Sequence, residues 1–138
     1  MKKILVAHDG SDASNKALLE AVALARELGA ALTVASVIPK LCFLGVGLDC
    51  ATVEQIYKAE TEGVLEGVKT IFREKGIDGD TVVLEGSPAD VIVDYAKSMG
   101  ADMIVVGSTG KHATERTIFG SVSSKIATTA SCSVVVVK

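Results

Sequence analysis

The sequence predicts an α/β protein with a doubly wound, Rossmann-like sheet of five parallel strands and helices on both of its faces. Two observations lead to this prediction. Short apolar runs alternate along the chain with longer segments whose apolar residues recur at helical spacing. With 138 residues, 49% of them hydrophobic and 22% charged, the chain has the size and composition of one globular domain. We therefore expect residues 1–138 to form a single domain.

The first part of the chain predicts a strand, a helix and a second strand. Lys3 to Ala7 is a short apolar run, and Asp12 to Leu28 repeats apolar side chains with the period of a helix. Gly29 follows where a helix C-terminus favours a left-handed residue, and Ala31 to Ser36 begins the next strand. These elements make up one βαβ unit.

A long second helix is predicted after the stretch from Pro39 to Cys50, which has no clear period. Thr52 and Gln55 have the spacing of a capping box, with Thr52 as the N-cap, and Gly76 is expected to end the helix. The predicted buried stripe consists of Val53, Ile56, Tyr57, Val64, Val68, Ile71 and Phe72.

The second part of the chain continues the alternation. Ser87 and Pro88 are typical of an N-cap followed by the first helical position. The nearly continuous aliphatic run before Gly107 is typical of a central parallel strand covered on both faces. The predicted elements are a strand over Thr81–Glu85, a helix from Pro88 to about Ser98, a strand over Asp102–Gly107, a helix over Gly120–Ala130 and a strand over Ser133–Val137.

Charge and hydropathy exclude two classes of partner. A net charge of -3 argues against binding nucleic acid, which requires clustered Lys and Arg. No apolar run approaches the roughly 20 residues that cross a bilayer. The apolar run that begins the chain ends at His8, too early for an export signal, so we expect a cytoplasmic protein.

The cysteines and histidines do not form a metal-ligand pattern. Cys42, Cys50 and Cys132 lack the C-x-x-C spacing, which favours buried or idle thiols, with a contact between Cys42 and Cys50 as the alternative. His8 and His112 are far apart and have no flanking ligand cluster. No metal site and no catalytic residue are assigned from these residues.

A glycine-containing loop is the candidate ligand-binding feature. Two residues separate Gly107 from Gly110, and nine separate Gly110 from Gly120, which opens the fourth helix. Residues without Cβ let the backbone approach a phosphate, and a helix N-terminus offers unpaired N–H groups and a positive dipole end. A connection whose glycines only make turns is the alternative. Further candidate groups are the Ser121 and Ser123 hydroxyls and the cations Lys111 and Arg116.

This loop resembles the phosphate-binding motif G-x2-G-x9-G-[ST] of the universal stress protein family. Ile4–Ser11 resembles the opening strand and turn of that family, and Gly86–Ile92 resembles its third-helix entry. Ala101–Gly107 resembles its fourth strand. Several matches in the same order cover nearly the whole chain.

The resemblance implies an adenine nucleotide, usually ATP, bound across a sheet of strand order 3-2-1-4-5 in a stress-response protein. It implies that Asp9 contacts the ribose or base, that the Val37 backbone holds adenine, and that Val106 and Gly107 line the ribose. It also implies a homodimer through Val134 to Val137, an apolar edge that needs cover. The phosphates would be bound by Gly110, Gly120, Ser121, Val122 and Ser123.

The sequence departs from the family pattern beside Asp9. Ala7 and His8 stand where family members often carry proline and threonine, and we count both among the candidate nucleotide-binding residues. Asp9 is equally typical of a turn residue, and the two roles can coexist. Ser133 stands where a proline commonly follows the residue equivalent to Cys132.

Two function classes fit these residues. The first is a binding module whose conformation or partner surface responds to ATP, ADP or AMP. The second is a slow Mg²⁺-dependent ATPase or phosphoryl-transfer enzyme, in which Asp9 would help hold Mg²⁺. A receiver domain is disfavoured because Glu85 and Gly86 end the third strand, and a P-loop kinase because Lys111 is followed by His112.

Overall fold

The computed structural model describes residues 2–40, 50–109 and 120–138, which form five strands and four helices. A strand precedes every helix, as the alternation of apolar patterns predicts. The elements in chain order are β1 (Lys3–Ala7), α1 (Asp12–Leu28), β2 (Ala31–Ile38), α2 (Cys50–Lys75), β3 (Gly79–Glu85), α3 (Pro88–Met99), β4 (Met103–Gly107), α4 (Ser121–Thr129) and β5 (Ser133–Val137).

The five strands form one sheet in the order β3-β2-β1-β4-β5, and all neighbouring pairs are parallel. Ala7 at the end of β1 is in register with Ala35 of β2 and Val106 of β4. The strand order reverses at β1 and β4, so the loops after these two strands separate there. The predicted doubly wound sheet and its strand order are confirmed.

The two faces of the sheet carry separate hydrophobic cores. On one face, Ile4, Val34 and Val105 pack with α1 and α2. On the other, Leu5 and Ile104 pack with α3 and α4. Successive side chains of a strand point to opposite faces, so one aliphatic run fills both cores.

The ends of the elements agree with most of the sequence signals. The Ser11 side chain accepts a hydrogen bond from the Ser14 N–H, and Gly29 adopts the left-handed conformation at φ 63°. β5 has its predicted bounds. β2 continues two residues past the predicted Ser36, and β3 begins two residues before Thr81.

The start of β4 differs from its prediction because Asp102 makes other contacts. Its Oδ2 accepts hydrogen bonds from the N–H groups of Lys2 at 2.8 Å and Lys3 at 3.0 Å. These two bonds hold the pKa of Asp102 below its usual value. Asp102 thereby ties the beginning of the chain to the sheet, and the strand starts one residue later.

The second helix contains two errors of prediction. It begins at Cys50, so Thr52 lies within the helix and is not its N-cap. Ile56 is 60% exposed, whereas Leu65, which the stripe omitted, is buried. Leu65, Val68 and Phe72 follow one another at helical spacing on the sheet side, and Ile56 lies on the opposite side with the exposed glycines of the helix.

None of the helices in the described ranges is long and apolar enough to span a membrane.

Two glycines of this fold have opposite steric surroundings. A Cβ on Gly107 would lie 2.7 Å from the carbonyl carbon of Ala13, whereas a Cβ on Gly67 would meet nothing within 4 Å. We expect Gly107→Ala to lower the free energy of unfolding by roughly 1–3 kcal/mol through overpacking. The matched control Gly67→Ala is expected to raise it by about 0.5–1 kcal/mol. Urea unfolding of both variants tests this, and a Gly107→Ala variant as stable as the parent contradicts it.

Candidate functional site

A cavity of about 650 Å³ lies at the carboxyl ends of β1, β2 and β4. Doubly wound proteins bind ligands at this edge of the sheet, and the volume is ordinary for a small-molecule site. The lining residues are Ala7, His8, Asp9, Ser14, Ala35, Ser36, Val37, Pro39, Tyr57, Glu60, Thr61, Val64, Pro88, Ile92, Val106, Gly107, Thr109, Gly120, Ser121, Val122 and Ser123.

The turn between β1 and α1 holds Asp9 at the cavity. Gly10 has a φ of 86°, which a side chain rarely allows, and a Cβ there would lie 3.0 Å from Val64. Asp9 Oδ1 accepts a hydrogen bond of 2.9 Å from the Ser11 N–H. Asp9 is therefore a turn residue that also lines the cavity, as the sequence allowed.

His8 connects this turn to the first helix. Its Nδ1 accepts a hydrogen bond of 3.1 Å from the Gly10 N–H, and its Nε2 lies 2.9 Å from Asn15 Oδ1. These partners fit the neutral ring that carries its proton on Nε2. Burial lowers the pKa of His8 and outweighs the Asn15 hydrogen bond and the Asp9 charge, which both favour protonation. His8 thus serves the turn as a neutral hydrogen-bonding group.

The alternation of side chains divides the cavity into two chemically different parts. Ala7, Ala35 and Val37 face α3 and α4 and belong to the core on that side. His8 and Ser36 directly follow Ala7 and Ala35, the last pair in register, so they point to the opposite face, toward α1 and α2. One part of the cavity is apolar and the other is polar.

The start of α4 is tied to the end of β4 through Ser108. The Ser108 carbonyl accepts hydrogen bonds from the Gly120 N–H at 2.6 Å and from the Ser123 hydroxyl at 3.1 Å. The Ser108 N–H donates to the Val137 carbonyl of β5 at 2.8 Å. Gly120 is the N-cap of α4 and has no side chain to cap the first-turn N–H groups. These groups point to the N-terminal end of the helix, where Ser121, Val122 and Ser123 line the cavity.

The structure brings ten of the twelve predicted site residues to one cavity. Gly110 and Lys111 lie outside the described residues, as does Arg116, so their predictions stay untested. The Ser123 hydroxyl donates to main-chain carbonyls, which leaves its N–H as its donor toward a ligand. The residues brought together are Ala7, His8, Asp9, Val37, Val106, Gly107, Gly120, Ser121, Val122 and Ser123.

Sequence reasoning missed the contribution of α2. Tyr57, Thr61 and Val64 lie on one side of this helix and line the cavity together with Glu60. Tyr57 and Val64 were predicted only as members of a buried stripe. The signal that was available is Thr61, a polar residue at helical spacing between two apolar members of that stripe.

The charges on the described lining are acidic. Asp9 and Glu60 contribute carboxylates, and His8 is neutral. Among the described residues, no three His, Cys, Asp or Glu side chains cluster as metal ligands.

Lys125 of α4 pairs with Asp90 of α3 at 2.9 Å, which lowers the pKa of Asp90. This pair connects the two helices of the apolar side.

Comparison with protein families finds one match that spans the chain. The profile of the universal stress protein family matches residues 1–138. A universal stress protein of Methanocaldococcus jannaschii is 37% identical over 139 residues, which cover 99% of this chain and 82% of the relative.

Comparison with solved structures gives the same family. The universal stress protein UspA from Lactobacillus plantarum has a TM-score of 0.90 and 30% identity, with 99% of this chain and 97% of that chain covered. A universal stress protein from Archaeoglobus fulgidus, solved in complex with dAMP, has a TM-score of 0.76 and 28% identity. That alignment covers 100% of this chain and 98% of the other.

The environment of His8 predicts a pH dependence of stability. Its pKa is lowered from 6.5 in the folded state, so below pH 6.5 the unfolded chain binds more protons than the folded chain. Stability is therefore lost as the pH falls from 6.5 to the folded-state pKa. For one site the loss is at most about 1.4 kcal/mol per pH unit. Urea unfolding between about pH 5 and pH 7.5 measures it.

The control for this prediction uses the other histidine of the chain. His8→Gln is expected to flatten the dependence below pH 6.5, because the titrating group is gone. His112→Gln is expected to leave the dependence in place. Equal pH profiles for the parent and His8→Gln would show that His8 does not cause it.

Proposed function

The chain belongs to the universal stress protein family, and we propose that it binds an adenine nucleotide in the cavity, as a dimeric module of stress response or signalling. The observation that supports this most directly is one cavity lined by ten residues selected from sequence alone. ATP is the proposed ligand, with ADP and AMP as the other forms. The whole chain would act as one cytoplasmic domain.

The apolar part of the cavity suits the base. Ala7, Ala35, Val37 and Val122 form a continuous wall on the side of α3 and α4. The face of an aromatic base can lie against such a wall while the polar atoms on its edge keep their hydrogen bonds, so the base gains apolar contact at little cost. The dAMP complex of the Archaeoglobus fulgidus relative supports an adenine base as the occupant.

The start of α4 suits the phosphates. Ser121, Val122 and Ser123 are the first three helical residues, and their N–H groups precede the first intrahelical donor, Ser124. The dipole adds partial positive charge at the same end. The described lining has no Lys or Arg side chain, so its contacts to a phosphate chain would be main-chain N–H donors, and Mg²⁺ would arrive with the triphosphate.

Binding is favoured over turnover. Phosphoryl transfer requires a group that orients water or accepts a proton beside the terminal phosphate. On the described lining, the α4 end of the cavity presents Gly120, Ser121 and Ser123, and none of these is a general base at neutral pH. We therefore propose a nucleotide-responsive binding protein, with slow hydrolysis as the alternative.

The edge strand β5 is the proposed dimer contact. It pairs with β4 on one side only, and Val134 to Val137 are partly exposed along it. An exposed apolar edge tends to pair with another strand or be covered. The same edge of a second subunit would supply both cover and main-chain partners.

The nucleotide prediction is tested at Gly120. Its φ of -68° accommodates a side chain, so Gly120→Val is expected to fold. The added methyl groups would occupy the approach to the helix N-terminus and weaken ATP binding more than about tenfold. Isothermal titration calorimetry with ATP and Mg²⁺ measures the affinity, and circular dichroism checks the fold. Gly63→Val is the matched control, because a Cβ on Gly63 meets nothing within 4 Å.

Two results together would overturn nucleotide binding. One is the absence of heat on titration with ATP, ADP or AMP. The other is the absence of nucleotide in chromatography of the acid-denatured protein as purified. Recovery of ADP alone would instead favour the hydrolytic alternative.

The dimer prediction is tested by sedimentation equilibrium. We expect a dimer for the parent and a monomer for Val136→Glu, since dimer formation would bury the carboxylate further. Because Val136 also packs against the core on the side of α3 and α4, circular dichroism checks that the variant is folded. Val83→Glu is the matched control on the opposite edge strand β3, where Val83 is 42% exposed, and it should stay dimeric. A parent that sediments as a monomer at every concentration refutes the proposal.

A further inference from the structure

The polar part of the cavity contains hydroxyl groups that the proposed base and phosphate contacts leave unused. We use the name hydroxyl recess for the part lined by His8, Ser14, Ser36 and Thr61. Ser36 lies two residues after Val34 on β2, so both side chains point to the same face of the sheet. Val34 belongs to the core on the side of α2, and Ser36 therefore faces α2. All four residues are more than nine-tenths buried.

Two of these four side chains already have partners. The Ser14 hydroxyl donates to the Ser11 carbonyl at 2.9 Å. Both ring nitrogens of His8 are engaged, one by the Gly10 N–H and the other by Asn15. These two side chains therefore form a wall of the recess and have little capacity left for a ligand.

Ser36 and Thr61 are different. Ser36 is 4% exposed and Thr61 is 7% exposed, and neither hydroxyl takes part in a hydrogen bond with the described residues. A helical threonine often donates to the carbonyl four residues earlier, as Thr70 does to Glu66 at 3.1 Å, but Thr61 does not. Every side-chain oxygen in the described part that is fully enclosed has a hydrogen-bond partner. Since the hydroxyls of Ser36 and Thr61 have none, they are not fully enclosed and have open space beside them. That space is the cavity.

A buried hydroxyl without a partner is unfavourable, so the recess favours an occupant that forms hydrogen bonds. Phosphate is a poor candidate there, because none of the four recess residues is a cation: His8 is neutral, and Ser14, Ser36 and Thr61 carry no charge. A hydroxyl group suits the recess, since it donates and accepts as serine and threonine do. In a nucleotide, such groups belong to the ribose.

We propose that Ser36 and Thr61 bind the ribose hydroxyls, so that the cavity selects ribonucleotides over deoxyribonucleotides. This inference rests on the proposed nucleotide binding. The ribose joins the base to the phosphates, and the recess lies beside β1 and β2, next to the wall proposed for the base. A site that hydrogen-bonds a ligand hydroxyl rejects the analogue lacking it, because its own buried groups then stay unpaired.

The experiment compares three ligands and three proteins, the parent and two variants, by calorimetry. ATP, 2′-deoxy-ATP and 3′-deoxy-ATP are titrated into the parent, Ser36→Ala and Thr61→Val. We expect the parent to bind ATP more tightly than at least one deoxy analogue, and each variant to weaken ATP binding about three- to tenfold. One deoxy analogue lacks the ribose hydroxyl that the substituted residue would bind. For that analogue, the variant and the parent should have the same affinity.

The matched control is Thr70→Val, the same substitution on the side of α2 away from the cavity, and it should keep the parent's ligand preference. Both recess variants should unfold at a Tm no lower than the parent's, because they remove an unpartnered hydroxyl. A lower Tm, or an equal loss for all three ligands, overturns the inference while nucleotide binding stands. A parent that binds none of the three ligands overturns the proposed function itself.

Discussion

The alternation of side chains along strands that are buried on both faces is the constraint on which this molecule depends. Along the central strands β1 and β4, consecutive buried residues belong to opposite cores: Ile4 packs on one face and Leu5 on the other, as do Val105 and Ile104. At the carboxyl ends of the strands the same rule continues beyond the cores. It places Ala35 and Val37 on one side of the cavity and His8 and Ser36 on the other. The chemistry of the cavity thus follows from the register of the sheet.

Where the local signal was strong, the fold could be predicted from the sequence. The valines of β5 and the turn at Gly29 come from patterns in which one residue type suits one conformation. The predicted start of α2 was wrong because a capping box is a short pattern that also occurs inside helices, as it does here at Thr52. Ile56 was placed in the core although its side of the helix carries the exposed glycines.

The candidate site divides in the same way. Residues that follow strands could be found, since parallel strands end at one edge of the sheet and their loops meet there. The residues of α2 could not, because periodicity predicts which side of a helix is buried but not what it is buried against. Thr61 shows the difference: sequence gives its position on the helix, and only the tertiary packing brings it to the cavity.

His8 also makes the cavity open to observation without an added reporter group. The chain has two histidines, and the hydrogen bonds of His8 fix its proton on Nε2. In nuclear magnetic resonance spectra, a ring locked in one tautomer has nitrogen shifts that differ from those of a freely exchanging ring. A molecule entering beside Asp9 changes the surroundings of that ring directly. The imidazole of His8 is therefore a natural spectroscopic reporter of whether the cavity is occupied.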